Sequence, residues 1–194
     1  MSTNEAVRAP ARIDSADPRA ARVRDRLRRA AFELIEERRV ERISVSDITQ
    51  RAGVSRQVFY QHFRDRDDAV AQAVAASFRE LTPDAGAEDP RAVIHRLCDF
   101  AARHADLYRN LYPSAASQQT ANAYRDLLHP ACVRLVEHLP DPATLADFVL
   151  GGIIEVSRLP AEAPGGAVTA ESLRRRVDAC LDVIAGPSAH DAMG

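Results

Sequence analysis

An all-α fold is predicted by three features of the sequence. Apolar residues recur at offsets of three and four along most of the chain, no run of alternating β-branched residues appears, and the periodic stretches are separated by short segments rich in helix breakers. With 194 residues, 46% of them hydrophobic, the chain can bury a sizeable core as one large domain or two small ones. No internal repeat is present.

The first helix is read from about Arg19 to Arg39, where Val23, Leu27, Ala30, Leu34 and Ile35 fall on one face with Arg and Glu opposite. Ser44-Val45-Ser46-Asp47 is a capping box with Asp in the acidic place, and it opens a short helix ending at Ala52. Gly53 supplies the positive φ that a helix end favours. Ser55 caps a third helix to about Phe63, and Asp65 a fourth to about Leu81.

"TPDAGAEDP", Thr82 to Pro90, reads as a connection to a second section. There four apolar stripes follow: Ile94 to Ala102, Tyr124 to Val136, Leu145 to Val156 and Leu173 to Ile184. "PSAASQQTAN", "LPDP" and "LPAEAPGGAVTA" are expected to be loops. The boundaries expected are a disordered tail over 1–18, a first domain over 19–81, a second over 82–186 and a disordered tail over 187–194.

Charge is unevenly spread. Residues 1–80 hold 16 Arg against 13 Asp and Glu, whereas residues 81–194 hold 10 against 15, so a mildly basic front precedes an acidic back within a net charge of −2. Every basic residue is Arg, a bias that coding composition explains. Cys98, Cys132 and Cys180 are odd in number and far apart, which fits reduced thiols in a cytoplasm. The longest apolar run, "FVLGGII", is too short for a membrane span, and the first 20 residues lack the apolar stretch of a secretory signal. Arg8, Arg12, Arg19, Arg22 and Arg24 are diluted by Asp14, Asp17 and Asp25, so they read as a solvated tail.

"ITQRAGVSRQVFYQHF", Ile48 to Phe63, carries the functional signal. On a helical wheel Arg56, Gln57, Tyr60, Gln61 and Arg64 share one arc, and Val58, Phe59, His62 and Phe63 the other. Two helices joined by a tight Gly turn, the second with a polar outward face, form a helix-turn-helix, whose second helix lies in the DNA major groove. Arg can donate twice to guanine and Gln can pair twice with adenine. Tyr60 and the Ser55-capped helix start suit phosphate oxygens.

Phe32 to Val70, "FELIEERRVERISVSDITQRAGVSRQVFYQHFRDRDDAV", resembles the DNA-binding domain of the TetR family of bacterial transcription repressors. An amphipathic first helix, "ISVSDI", "RAGVS", "FYQHF" and an Asp-capped fourth helix stand at that family's spacing. The resemblance implies Arg56 and Gln57 at base edges, Tyr60 at a phosphate or base, Gln61 and His62 near the DNA backbone, and Ser44 at a phosphate. Arg66 stands where the family commonly has a phosphate-contacting Lys, Thr49 where it has Ala, and Ala69 where it has Leu.

The resemblance also implies a second domain that binds an effector and pairs with its mate through the last two helices. Phe100, His104, Tyr108, Tyr112, Tyr124 and Phe148 are the expected pocket residues, since phenols and imidazoles can orient a largely apolar ligand. Phe148, Gly152, Ile153, Val156, Leu173, Val177, Leu181 and Ile184 are the expected dimer interface, because a short chain cannot easily cover both late stripes. The function expected is a repressor that binds a palindromic double-stranded DNA operator as a homodimer and releases it when a small molecule binds. No cofactor, membrane partner or catalytic residue is expected, since no G-x-S-x-G, Gly-rich phosphate loop or framed carboxylate pair occurs. The alternatives are a metal- or redox-responsive helix-turn-helix regulator using the cysteines, and a helical enzyme or scaffold with an incidental turn. His95, Cys98 and Asp99 share a helix face, but closed zinc sites need four ligands, so no metal site is assigned.

Overall fold

The computed structural model describes residues 18–82, 88–162 and 168–186, and among these it is helical without strands. Ten helices follow in order: α1 Pro18–Glu37, α2 Val45–Ala52, α3 Arg56–His62, α4 Arg66–Leu81, α5 Pro90–Arg103, α6 Ala105–Leu111, α7 Ala115–Val136, α8 Pro142–Val156, α9 Leu159–Glu162 and α10 Ala170–Ala185. A 3-10 turn over Val40–Arg42 joins α1 to α2. The tails expected to be disordered lie outside the described residues, except Pro18, which begins α1.

The first four helices start and stop where local chemistry dictates. Ser44 Oγ accepts from the Asp47 N–H at 3.1 Å while the Asp47 carboxylate accepts from the Ser44 N–H at 2.8 Å, closing the capping box on α2. Ser55 accepts from the Val58 N–H at 3.3 Å, and Asp65 from the Asp68 N–H at 2.8 Å. Leu27, Ala30, Ala31, Leu34 and Ile35 turn the inner face of α1 onto α2 and α4.

The second section departs from expectation at α7. "PSAASQQTAN" is not a loop: Ser114 caps a helix from Ala115 in a box with Ser117, and Ala and Gln then favour the helical backbone. Ser and Thr had marked the segment as irregular, yet one of those serines is the cap. "LPAEAPGGAVTA" likewise starts with the short α9, and residues 163–167 lie outside the described residues. "LPDP" separates α7 from α8 as expected. Gly151 and Gly152 sit within α8 on its exposed side, where an added Cβ would meet nothing within 4 Å.

Helix α4 joins the two sections. It packs on α1 and on α7, and α6 packs on α1 as well. One continuous apolar core results. At its centre Phe78 of α4 is fully enclosed, with ring centroids 6.2 Å from Phe100 and 5.3 Å from Tyr124. Asn110 of α6 donates to the Ile35 and Glu36 carbonyls at 2.8 and 3.3 Å, satisfying the open end of α1.

Gly53 has φ +64°, and an added Cβ would approach Arg26 Nη2 to 3.0 Å. Gly53→Ala is therefore expected to cost about 1–2 kcal/mol, read as a lowered urea midpoint at unchanged slope. A midpoint equal to the wild type would show that the turn tolerates another backbone.

Candidate nucleic-acid interface

The turn between α2 and α3 is fastened from three directions. Gly53 N–H donates to Gln50 O at 3.2 Å and Val54 N–H to Thr49 O at 3.0 Å, the paired bonds of a Schellman ending. The Arg26 guanidinium, reaching from α1, donates to the Ala52 carbonyl and, at 3.2 Å, to that of Gly53. Arg51 donates to both Glu37 oxygens at 2.9 and 3.0 Å, and Arg38 stands 3.3 Å from Asp47. The Ser44 backbone N–H, with smaller help from its hydroxyl and from Arg38, holds the Asp47 carboxyl below its ordinary pKa. Thr49, where the family has Ala, is buried and turns its hydroxyl onto the Ser46 carbonyl at 3.1 Å.

Phe59 and Phe63 anchor α3, with centroids 5.5 Å apart. The anchored face leaves Ser55, Arg56, Gln57, Tyr60 and Gln61 exposed. Tyr60 lays its ring edge-on to Phe59 at 5.3 Å, which sets the direction of its hydroxyl. Among the described residues, the polar ends of Arg56, Gln57, Tyr60 and Gln61 have no hydrogen-bond partner. Donors and acceptors without internal partners, on one side of a rigid two-turn helix, are what recognition of base edges and phosphates requires.

His62 and Arg66 are drawn partly inward. Burial, reinforced by Arg24 and Arg28, holds the His62 pKa below its ordinary value, so the ring is neutral at neutral pH; its Nδ1 is enclosed without a hydrogen-bond partner. Arg66 donates to Asp67 at 2.8 Å and to the Ile43 carbonyl at 3.2 Å, which ties α4 to the segment before α2. The Ser44 hydroxyl is exposed but already donates to Asp47 at 2.8 Å.

In the second section Phe100, His104, Tyr108, Tyr112 and Tyr124 come together. Phe100 and His104 have centroids 4.5 Å apart, Tyr108 and Tyr112 stack at 6.3 Å, and the Tyr108 and Tyr124 hydroxyls share a 3.0 Å hydrogen bond. Burial pushes both of these phenol pKa values up. Phe78 and Phe32 complete the cluster, Phe32 lying edge-on to His104 at 5.4 Å. Sequence reading missed these two because they belong to helices assigned to DNA binding. Thr120, one turn before Tyr124, is fully buried, and its hydroxyl has no partner among the described residues. Phe148 stands apart from the cluster, 70% exposed on α8. It cannot line an enclosed cavity with the other five.

Among the residues expected at a dimer interface, Ile153, Leu173, Val177 and Leu181 are buried inside the chain itself. Their stripes are covered by the packing of α8 and α10 on each other and on α5 and α7, so these four have no face left for a partner. Val156 and Ile184 are half-buried, and Phe148, Gly151, Gly152 and, on α10, Val183 are exposed. Burial pushes the Cys98 and Cys132 thiols up to about 12. His95 hydrogen-bonds Asp178 at 2.7 Å and Asp99 pairs with Arg174 at 2.9 Å, so the face they share with Cys98 is occupied by partners on α10. Among the described residues no group of three or more His, Cys, Asp or Glu stands where it could hold one metal ion, and no helix is long and apolar enough to cross a membrane.

Residues 27–73 match the family described as bacterial regulatory proteins, tetR family. No curated protein matches the chain in sequence. Several solved structures share its fold. The dihydroxyacetone kinase operon activator DhaS is 18% identical with a TM-score of 0.61, over 84% of this chain and 96% of that one. A putative TetR-family transcriptional regulator from Rhodococcus sp. is 18% identical with a TM-score of 0.60, over 85% and 99%. RolR in complex with resorcinol is 18% identical with a TM-score of 0.59, over 90% and 92%. The matched segment runs from the inner face of α1 through α2, the turn and α3 into α4. Residues 27–73, which hold the turn between α2 and α3, are thus similar to the tetR family of bacterial regulatory proteins, and the whole chain shares the fold of solved regulators of that kind.

Proposed function

We propose that this regulator is a repressor that binds a two-fold symmetric operator as a homodimer and releases it when a small molecule enters its second section. The observation that carries the reading is α3, a helix whose inner face is locked by Phe59 and Phe63 while the side chains of Arg56, Gln57, Tyr60 and Gln61 have no hydrogen-bond partner among the described residues. In this reading Arg56 and Gln57 read base edges, Tyr60 meets a phosphate or base, and Ser44, Ser55 and Gln61 lie along the DNA backbone. His62 and Arg66 support the interface from behind, holding α3 and α4 in place, and the role is regulatory, without catalysis.

The partner surface is the outer side of α8 and α10. Phe148 and Val183 are large apolar side chains left in water there, and Gly151 and Gly152 present bare backbone that a mating helix can approach closely. A helix of a second copy, presenting the same ridge and gap, is complementary to this face by two-fold symmetry. Release then follows from population shift, the effector preferring a conformer whose two α3 helices are badly spaced for the operator.

The effector reading rests on the aromatic cluster. Its most deeply buried polar groups are neutral: the Tyr108–Tyr124 hydroxyl pair and the Thr120 hydroxyl, which has no partner among the described residues. A compact, largely apolar molecule bearing a hydroxyl suits them, and the resorcinol held by the similarly folded RolR has that chemistry. Another protein of this fold is named an operon activator, so a reporter assay with the selected operator decides the sign of regulation.

Three outcomes are expected. Sequencing DNA selected by Arg56→Ala should show relaxed preference at one base position per half-site, with about 1–3 kcal/mol lost there, whereas Tyr60→Phe should weaken all sites alike; full wild-type preference in Arg56→Ala would remove it from base reading. Phe148→Asp should convert a light-scattering dimer to monomer with the helical content intact; an unchanged dimer, or a monomeric wild type at micromolar concentration, refutes the assembly. Resorcinol and related phenols, titrated into the operator complex, should release it, and Tyr124→Phe and Thr120→Val should each raise the concentration for half release by about tenfold at unchanged operator affinity. If both variants respond as the wild type does, the cluster is core and not pocket.

A further inference from the structure

A groove of ≈ 170 Å³ lies where α1, α4 and α7 meet, outside the aromatic cluster. Its charged lining consists of Arg28, Arg79 and Asp68, with Gln72 and Gln119 beside them and the methyls of Ala71, Ala75 and Ala123 forming its apolar wall. The Arg79 guanidinium makes no hydrogen bond or ion pair among the described residues. Arg28 touches the exposed carboxylate of Asp25 at 3.4 Å, but its own Nε–H is buried with no acceptor. Burial holds the Arg28 pKa below its ordinary value, Asp25 opposes this, and Arg24 and Arg79 add to it. The groove is thus a place where guanidinium charge is concentrated and incompletely answered.

The carboxylate at its end does not answer it. Asp68 is buried, and its oxygens already accept from the Arg64 N–H at 2.9 Å and from the Gln72 amide at 2.9 Å, with the Arg64 guanidinium 3.6 Å away. Gln119 accepts from Arg64 at 3.5 Å through its carbonyl oxygen, which leaves its amide N–H groups available.

The geometry points to a binding site for a small oxyanion, an organic carboxylate or a phosphate, held between Arg28 of α1 and Arg79 of α4 with the Gln119 amide of α7 as a third donor. Guanidinium groups match such oxygens in pairs, and the alanine wall accepts a short apolar body behind them. The occupant bridges the DNA-binding helices α1 and α4 to α7 of the second section. It is distinct from the neutral phenolic effector above, and its existence does not depend on that reading or on the operator.

The test is isothermal titration of the DNA-free full chain with inorganic phosphate and, separately, with benzoate, at fixed ionic strength. Saturable binding of one anion per chain is expected, weakened by about tenfold or more in Arg79→Gln and in Arg28→Gln, and unchanged in Arg175→Gln, a control on the far helix α10. Arg79 is exposed, so its variant keeps the fold even if Arg28→Gln does not. Binding of phosphate alone, benzoate alone or both supports the site and identifies the source of the oxyanion. Absence of saturable binding for both probes, or binding that survives Arg79→Gln at wild-type strength, overturns it.

Discussion

Phe78 is the contact on which both halves of the molecule depend. It sits near the end of α4, a helix whose first half closes the DNA-binding unit and whose second half enters the core beneath α5 and α7. Completely enclosing a Phe side chain contributes about 1.5–3 kcal/mol, and here the same enclosure also sets the angle at which α4 leaves the head. Any rearrangement of Phe100 or Tyr124 is felt by Phe78 directly, because interdigitated rings have discrete arrangements and not a continuum of them.

The absence of lysine acquires a structural meaning when the hydrogen bonds are followed. Arg26 reaches the carbonyl end of α2, Arg66 the Ile43 carbonyl, Arg109 the Ala161 carbonyl at 3.2 Å, Arg91 the Gly186 carbonyl at 2.6 Å and Arg134 the Glu88 carbonyl at 2.6 Å. Each guanidinium satisfies an oxygen near the end of a helix or turn, and Arg91 in addition donates through its other terminal nitrogen to the Asp178 carboxylate at 3.4 Å. An ammonium group has fewer donors and no fixed plane, so it could not serve two partners in the same geometry. The bias that coding composition explains is therefore used as mortar between helices.

The head was legible in the sequence because its boundaries are local. Ser44, Ser55, Asp65 and Gly53 act on backbone groups within a few residues of themselves, and each stands where its chemistry predicts. The second section was less legible because its decisive facts are not local. Tyr108 and Tyr124 carry no sign of their shared hydrogen bond, and Phe78 none of its position beneath them. The direction of a stripe is equally silent: Ile153 and Leu173 look the same in sequence whether they face their own core or a partner. Phe148, by contrast, lies off the buried face of α8 defined by Ala146, Val149, Leu150 and Ile153, and that offset could have marked it as outward.

The shortness of α3 has a consequence in terms of information. Seven residues of helix are about 10 Å long, which against a base-pair rise of about 3.4 Å spans roughly three base pairs. Three base pairs recur about once in 64 positions, whereas a genome offers on the order of 10⁶–10⁹ competing ones. One head can recognise DNA, but it cannot find a place on it. In the homodimer proposed above, two such helices at a fixed separation would read about six base pairs and, in addition, the distance between them. In that proposed assembly the remaining discrimination would fall to the bendability of the DNA between the half-sites, and the rigidity of the seam between the DNA-binding helices and the second section would itself be part of the address.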